Sequence, residues 1–363
     1  MNDFNYFPEW RNEKYYFFPD DLRRYPDCWC YVVWSRRGSG KTYSALRSAY
    51  ENRIPIVYMK RTIDDVNTIC TTTSGFDLSP YVPINRDCGT ALQPKLIKKG
   101  IGGVYSECDQ DGNPAGAPVS YILALNAMKT IKGMDLSIAD WLLLDEFIPQ
   151  AGEIVKHAEG EMLLDMYMTI SRDREKRGRD HLKLILFANA ENISTPITNE
   201  LDIIDDMIEL IASGESHREI EGRGIMLHYI TNEELPYTEE EKRGGIYAGM
   251  QGTAWFDKSF GGDFVHNDFS ALGRSSMKRY QPVAGFRYKQ KDWYIWRNGE
   301  KLYVNNVRGN MPQTYDLNTD AGRYSFYGDV AIDLKVDTID ENVTYTSYMI
   351  YDLIMNYKKI MGV

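Results

Sequence analysis

The chain lacks the features that would place it in a membrane or an oxidising compartment. Five cysteines among 363 residues, Cys28, Cys30, Cys70, Cys88 and Cys108, are odd in number and confined to the first third. That distribution argues against a disulfide framework and for a reducing compartment. No zinc pair or bridge is expected between Cys28 and Cys30. No apolar run approaches the roughly 20 residues needed to cross a bilayer, so no membrane partner is expected. The first ten residues lack a basic start followed by an apolar core, and neither a signal peptide nor secretion is expected. Internal repeats and low-complexity segments are missing as well. Positive charge is scarce: 42 Lys and Arg against 52 Asp and Glu leave a formal net charge of -10. This excludes a surface that coats nucleic acid indiscriminately, although a local basic site stays compatible with it. The length allows two or three domains around a large core.

What the chain does have begins with an apolar run, Cys28–Trp34, read as a buried strand. Ser35-Arg-Arg-Gly-Ser-Gly-Lys-Thr42 follows, and then a helical stretch, Lys41–Asn52. A strand that ends in a glycine-rich turn points backbone N–H groups and a helix N-terminus at one spot, which suits a polyphosphate. Arg37, Gly38, Ser39, Gly40, Lys41 and Thr42 form the expected cradle. Lys41 would reach the β and γ phosphates, and the Thr42 hydroxyl would hold Mg²⁺. The usual pattern opens with glycine, whereas Ser35 stands here. A second buried run, Trp141–Leu144, ends in Asp145 and Glu146. Asp145 suits the magnesium shell and Glu146 the orientation and activation of an attacking water. Two adjacent acids after apolar residues are common by chance; the upstream phosphate loop is what gives them meaning. The Asp-Glu pair suits P-loop proteins that hydrolyse ATP in a motor cycle. Leu184–Ala190 reads as a further strand whose Asn189 would sense the γ phosphate or fix the water, the plain alternative being a strand-end turn.

Other elements are expected as follows. Asn5–Asp27 reads as irregular, Ile54–Lys60 and Val119–Leu125 as buried strands, and Gly75–Gly116 as loops with a small hairpin. Glu153–Ile170 and Leu201–Ile211 carry helical apolar stripes, whose plain meaning is core packing. The domain transition is expected in the charge-dense stretch Asn232–Gly245, where Thr238 and Glu241 would make a capping box. Beyond it, Gln251–Phe256, Val283–Tyr288, Trp293–Trp296 and Tyr324–Val336 read as antiparallel strands, with a final helix over Tyr345–Lys359. Two charged stretches stand out. Ser171–Lys183 holds six Lys or Arg against three acids: either a solvated loop or the source of an arginine that reaches an adjacent subunit's nucleotide. Arg274–Lys301 interleaves basic residues, among them Arg274, Lys278, Arg279, Arg287, Lys289 and Lys291, with aromatic rings. That suits nucleic-acid contact and equally suits a hairpin with one basic and one core face.

In order and spacing these motifs resemble the DNA-packaging ATPases (encapsidation proteins) of small podophages typified by a Bacillus phage. The resemblance rests on Arg37–Thr42, Tyr58–Arg61, Leu144–Phe147, Arg172–Glu175 and Asn189–Ala190. It is good over Cys28–Ala190, weak to Ile230 and little more than texture beyond. It implies an ASCE-type P-loop NTPase, an α/β core with a mainly parallel sheet, over residues 1–198. A connector over 199–231 and a C-terminal α+β domain of ribonuclease H-like, vestigial-nuclease fold over 232–363 complete the chain. It further implies ATP and Mg²⁺ as cofactors and a homo-oligomeric, pentameric ring in the host cytoplasm, transiently on the portal of a procapsid. The ring would translocate double-stranded DNA inward, with a structural packaging RNA as a further partner. By the same resemblance Arg172 matches a trans-acting arginine and Lys132 a second trans-acting basic residue. Three readings compete with it: a large terminase with a working C-terminal nuclease, another P-loop nucleic-acid translocase, and a nucleotide-binding structural assembly protein.

Overall fold

The computed structural model describes residues 4–71, 78–109, 111–127, 131, 133–150, 152–190, 192–253, 256 and 267–363. The chain forms two compact units: Met1–Leu201 with Asp206–Val265, and Asp202–Asp205 with His266–Val363. Among the described residues no helix is long and apolar enough to cross a membrane.

Unit 1 is built on a nine-stranded sheet. Its strands are β1 (Cys30–Ser35), β2 (Ile56–Lys60), β3 (Gln93–Lys98), β4 (Ile101–Tyr105), β5 (Ser120–Ala124), β6 (Trp141–Asp145), β7 (Lys183–Asn189), β8 (His217–Ile220) and β9 (Ile225–Ile230), in the order β3-β4-β5-β2-β6-β7-β1-β9-β8. From β5 to β9 every neighbour pairs in parallel. Beyond β5 the antiparallel β4 and then β3 form one side, and the antiparallel β8 forms the other. Parallel strands need cover on both faces, which is why β1, β6 and β9 are buried along their whole length and are mostly apolar. The result is a P-loop NTPase-like fold with a separate C-terminal unit. One strand, β7, stands between the glycine-rich-loop strand β1 and the Asp-Glu strand β6.

The expectation of irregular structure before Asp27 is corrected by helix α1 (Phe18–Arg24), which buries Phe18 and Leu22. Pro19 does not break this helix, because it sits in the first turn, where its missing N–H costs nothing. The helical stripe expected from Glu153 begins only at Glu159; Ile154 is exposed. The stretch Gly75–Gly116 contributes the helix Val82–Cys88 and the β3–β4 hairpin, although 72–77 and 110 lie outside the described residues.

The units part beyond the expected transition. Residues 232–253 belong to unit 1 because an arginine of the glycine-rich loop binds them. Arg36 Nη2 donates to Leu235 O at 3.0 Å, and its guanidinium lies 3.5 Å from the centroid of the Tyr237 ring. The Thr238–Glu241 capping box is formed.

Unit 2 holds a five-stranded sheet of β10 (Gln281–Tyr288), β11 (Lys291–Asn298), β12 (Lys301–Asn305), β13 (Thr314–Asp316) and β14 (Val343–Tyr345), ordered β13-β10-β11-β12-β14. Strands β10, β11 and β12 form an antiparallel meander, β13 is parallel to β10 and β14 parallel to β12. Tyr324–Val336, expected as a strand, is helical: Asp320–Phe326 and Ile332–Ile339 flank a π-helical turn. Phe326, Ala331, Leu334 and Thr338 turn inward at helical spacing, and Thr319 caps the start by accepting from Gly322 N. The expected final helix is shortened and divided into Tyr348–Met355 and Tyr357–Met361, because Tyr345 is taken up by β14. Of the expected strand Gln251–Phe256, 251–253 form a turn and 254–255 lie outside the described residues.

Candidate nucleotide site

The glycine-rich loop leaves β1 at Ser35 and enters helix α2 (Lys41–Glu51) through Gly40. Gly38 and Gly40 have φ of +77° and +88°, a region closed to most side chains, and a Cβ on Gly40 would also meet Tyr15 at 3.3 Å. No side chain caps α2, which leaves its first backbone amides directed at the loop. Ser35 now has a role. Its Oγ lies 2.8 Å from Ser39 Oγ and accepts from Lys41 Nζ at 2.5 Å, closing the loop from below. Lys41 also donates to Ser39 Oγ at 3.1 Å. Burial and the neighbouring Arg36 charge push the Lys41 ammonium down to about 8, against the pull of Asp145. A buried lysine held this way gains an anionic partner at little reorganisation cost. Thr42 opens the second position of α2, and Arg37 is exposed on the outer side of the loop.

Asp145 ends β6 and Glu146 begins the turn after it. Glu146 has φ of +58°, an uncommon conformation for a side-chain-bearing residue and one that costs energy. The turn sends Phe147 and Ile148 into the core and leaves the Glu146 carboxylate exposed. Lys60, at the end of β2, binds both acids. Its Nζ is 2.7 Å from Glu146 Oε2 and 3.4 Å from Asp145 Oδ2. Asp145 Oδ2 also accepts from the Tyr58 hydroxyl at 3.0 Å. Burial alone would lower the Lys60 pKa, but the two carboxylates outweigh it and raise it. Asn189 ends β7 in register with Ser35, and Phe187, two residues earlier, faces Asp145 across the β6–β7 pair. Lys41, Thr42, Asp145, Glu146 and Asn189 thus come from the carboxyl ends of β6, β7 and β1, three adjacent parallel strands, where open α/β sheets place ligands.

The Tyr58–Arg61 stretch carried part of the resemblance, but sequence reasoning gave Lys60 and Tyr58 no place in this set. The available signal was a lysine at the end of an otherwise apolar strand. Arg61 had no role assigned either: it is buried and bonds Glu159 at 3.1 Å, Ile154 O at 3.2 Å and Glu153, tying down the segment after the Asp-Glu pair.

The charged stretch Ser171–Lys183 divides into distinct roles. Arg174 is buried; it donates to Asp140 Oδ1 at 2.5 Å, to Asp180 O at 3.0 Å and to Ala139 O. Arg179 joins it on Asp140 at 2.8 Å. Arg172 is exposed. Since this loop leads into the first residue of β7, Arg172 sits at the amino-terminal edge of the sheet. That edge is roughly 20 Å, the length of a seven-residue strand, from the chain's own phosphate loop. Lys132 lies outside the described residues.

In unit 2 the basic hairpin satisfies much of itself. Phe286, Tyr288 and Trp293 are core residues. Arg287 Nε pairs with Asp292 at 2.8 Å directly across β10–β11, and Lys291 pairs with Asp202 at 2.8 Å. Lys289 lies 5.6 Å from the Tyr288 ring centroid. Arg274, Lys278 and Arg279 are exposed on the segment before β10.

No family model matches the chain, and no curated protein matches it. Solved structures do. One, described as the Phi-28 gp11 DNA packaging motor, superposes with a TM-score of 0.60 at 15% identity, over 97% of this chain and 99% of that one. Another, the bacteriophage Phi-29 viral genome packaging motor assembly, gives a TM-score of 0.63 at 13% identity, over 96% and 99%. At such identities the likeness is one of fold, and it extends over both units.

Proposed function

We propose that the chain is an ATP-hydrolysing motor subunit that drives double-stranded DNA into a preformed viral capsid through its portal. The observation that carries this reading is the convergence of Lys41, Thr42, Asp145, Glu146 and Asn189 on three adjacent strand ends, with β7 between the β1 and β6 strands as an ASCE-type core requires. The likeness of fold to two DNA-packaging motors, over nearly the whole chain, supports it.

In this reading the loop amides of 37–42 and the Lys41 ammonium bind the β and γ phosphates. Hydroxyl and carboxylate oxygens suit magnesium, so Thr42 and Asp145 are the residues that would hold it; bound there, it would screen phosphate charge. Glu146, exposed at its strained turn, accepts the proton of the attacking water, and Asn189 orients that water from the neighbouring strand. Lys60 holds the two carboxylates apart and fixes the direction of Glu146. Arg172, exposed on the loop that leads into the amino-terminal end of β7, serves a neighbouring subunit, which makes the working form a ring; five subunits and a packaging RNA follow the family resemblance alone. The ribonuclease H-like reading of unit 2 is supported by the β10–β12 meander with β13 parallel beside β10. Strand β14 joins the opposite edge, so that reading covers only part of the sheet.

Steady-state ATP hydrolysis across a protein concentration series, with and without double-stranded DNA and alongside mass in solution, tests the proposal. Turnover should rise cooperatively with assembly and with DNA. Turnover indifferent to both would identify a monomeric P-loop enzyme instead.

A further inference from the structure

A second cluster of chemistry-bearing side chains lies in unit 1, unused by the nucleotide site. His217 opens β8 and His228 stands opposite it in the middle of β9, with ring centroids 3.7 Å apart. Asp21, from α1, presents one carboxylate oxygen to each ring: Oδ2 to His228 Nδ1 at 2.8 Å and Oδ1 to His217 Nε2 at 3.6 Å. The three ligand atoms lie within 4.8 Å of one another, and Asp21 and His228 are almost wholly buried. The outer nitrogen of each ring is also engaged. His228 Nε2 is 3.0 Å from Glu234 Oε1, and His217 Nδ1 is 2.6 Å from Ser216 Oγ. The Tyr16 hydroxyl donates to Asp21 Oδ2 at 2.7 Å. His217 lies on the wall of an open cleft of about 590 Å³.

We propose that Asp21, His217 and His228 form a binding site for one divalent transition metal of the zinc class. Two imidazole nitrogens and one carboxylate oxygen match zinc chemistry and do not suit magnesium, which takes oxygen ligands. An acceptor on the far nitrogen of each ligating histidine fixes its tautomer and orientation, as second-shell partners do at metal sites, and here Glu234 and Ser216 fill that place. Ligands about 2.0–2.1 Å from a tetrahedral zinc sit about 3.3 Å apart. With Asp21 Oδ2 as the carboxylate ligand, its 2.8 Å contact with His228 Nδ1 therefore opens by a few tenths of an ångström when metal enters. The fourth position faces the cleft and takes water. The metal joins α1 to the β8–β9 edge. Because Tyr16 N donates to Ser39 O at 2.9 Å, it also steadies the segment that lies against the phosphate loop.

The test uses the whole chain, stripped with chelator and titrated with Zn²⁺ against a chromogenic chelator, without nucleotide or magnesium. One equivalent of zinc should bind with sub-micromolar affinity and raise the melting temperature. His217→Ala, at a partly exposed strand end, should weaken binding at least tenfold and remove the thermal shift. Ser216→Ala, which leaves every ligand in place, should weaken it roughly tenfold and covers the case in which His217→Ala fails to fold. Absence of tight zinc binding would mean that the cluster holds a proton only. Affinity unchanged in both variants would put the metal on the thiols. Either result overturns the proposal.

Discussion

The candidate nucleotide site of unit 1 and the basic hairpin of unit 2 treat charge in opposite ways. In unit 1, Ser35, Lys60, Asp145 and Asn189 stand far apart in the chain and arrive at one strand-end edge because each closes a buried strand. In unit 2, charge is dense in sequence and is answered locally: Arg287 faces Asp292 across a two-stranded ladder, and Phe286, Tyr288 and Trp293 are buried in the core. Local charge density mostly describes a solvated face. Polar residues that terminate apolar strands describe a site, because the sheet, not the sequence, makes them neighbours.

The sharpest way to break that comparison is Arg172→Ala. Its loop is denser in charge than the hairpin, yet the prediction is a loss of about 10³-fold or more in turnover. Rings of mixed wild-type and variant subunits should lose more activity than the variant fraction. Proportional loss would return Arg172 to the class of solvated charges. Glu146→Gln should retain ATP binding and lower turnover by about 10²–10⁴-fold, read by single-turnover hydrolysis beside equilibrium nucleotide binding. Persistent turnover would remove Glu146 from its role as base. Lys60→Met keeps the apolar stem and removes the cation between the two acids. Turnover should fall roughly ten- to hundredfold while KM changes little, since alignment and not affinity is lost.

These three residues also mark what the sequence made legible. The strand–loop–helix from Cys28 to Asn52 is a short-range pattern, and the apolar runs of β6 and β7 are visible because both faces of a parallel sheet are covered. Lys60 was invisible in its role because its carboxylates lie 85 and 86 residues away and only the β2–β6 pairing brings them together. Arg172 and Arg174 are alike in sequence; burial against Asp140 is what sets them apart. The helices from Asp320 to Ile339 were misread as strand because tyrosine and valine favour sheets, while the cap at Thr319 carries a weaker signal. The extension of unit 1 beyond residue 232 depends on Arg36, a contact across 199 positions.

Within unit 2, polar groups hold structure instead of converging on a ligand, and Asp205 tests that contrast. It accepts from Ser347 Oγ at 2.6 Å and from Tyr348 N at 2.8 Å at the start of the final helical pair. Burial raises its pKa despite these bonds. The sign is then fixed: the ionised form is the less favoured in the fold, so this group's contribution weakens as pH rises from its unfolded value through its folded one. Asp205→Asn keeps an acceptor without the buried charge and should leave chemical stability near wild type. Asp205→Ala loses the acceptor and should cost about 1–2 kcal/mol. A loss in the asparagine variant equal to that in the alanine variant would show that the charge itself is needed.

The smallest expected effect sharpens the comparison inside the hairpin's own region. If local pairing spends the charge, Arg287→Ala should leave the salt dependence of DNA binding unchanged, because its guanidinium already answers Asp292. Arg274, Lys278 and Arg279 are exposed on the preceding segment and are the residues left to meet phosphates. Each one that does so should lower the slope of log K against log salt by about 0.9 when changed to alanine. Binding isotherms of the four single variants between low and physiological salt separate the two classes. Equal slopes for all five proteins would take the whole region out of DNA contact. A reduced slope for Arg287→Ala equal to that of Arg279→Ala would show that a cross-strand ion pair can still be lent to a ligand, and charge density would then deserve more weight than pairing in reading such a hairpin.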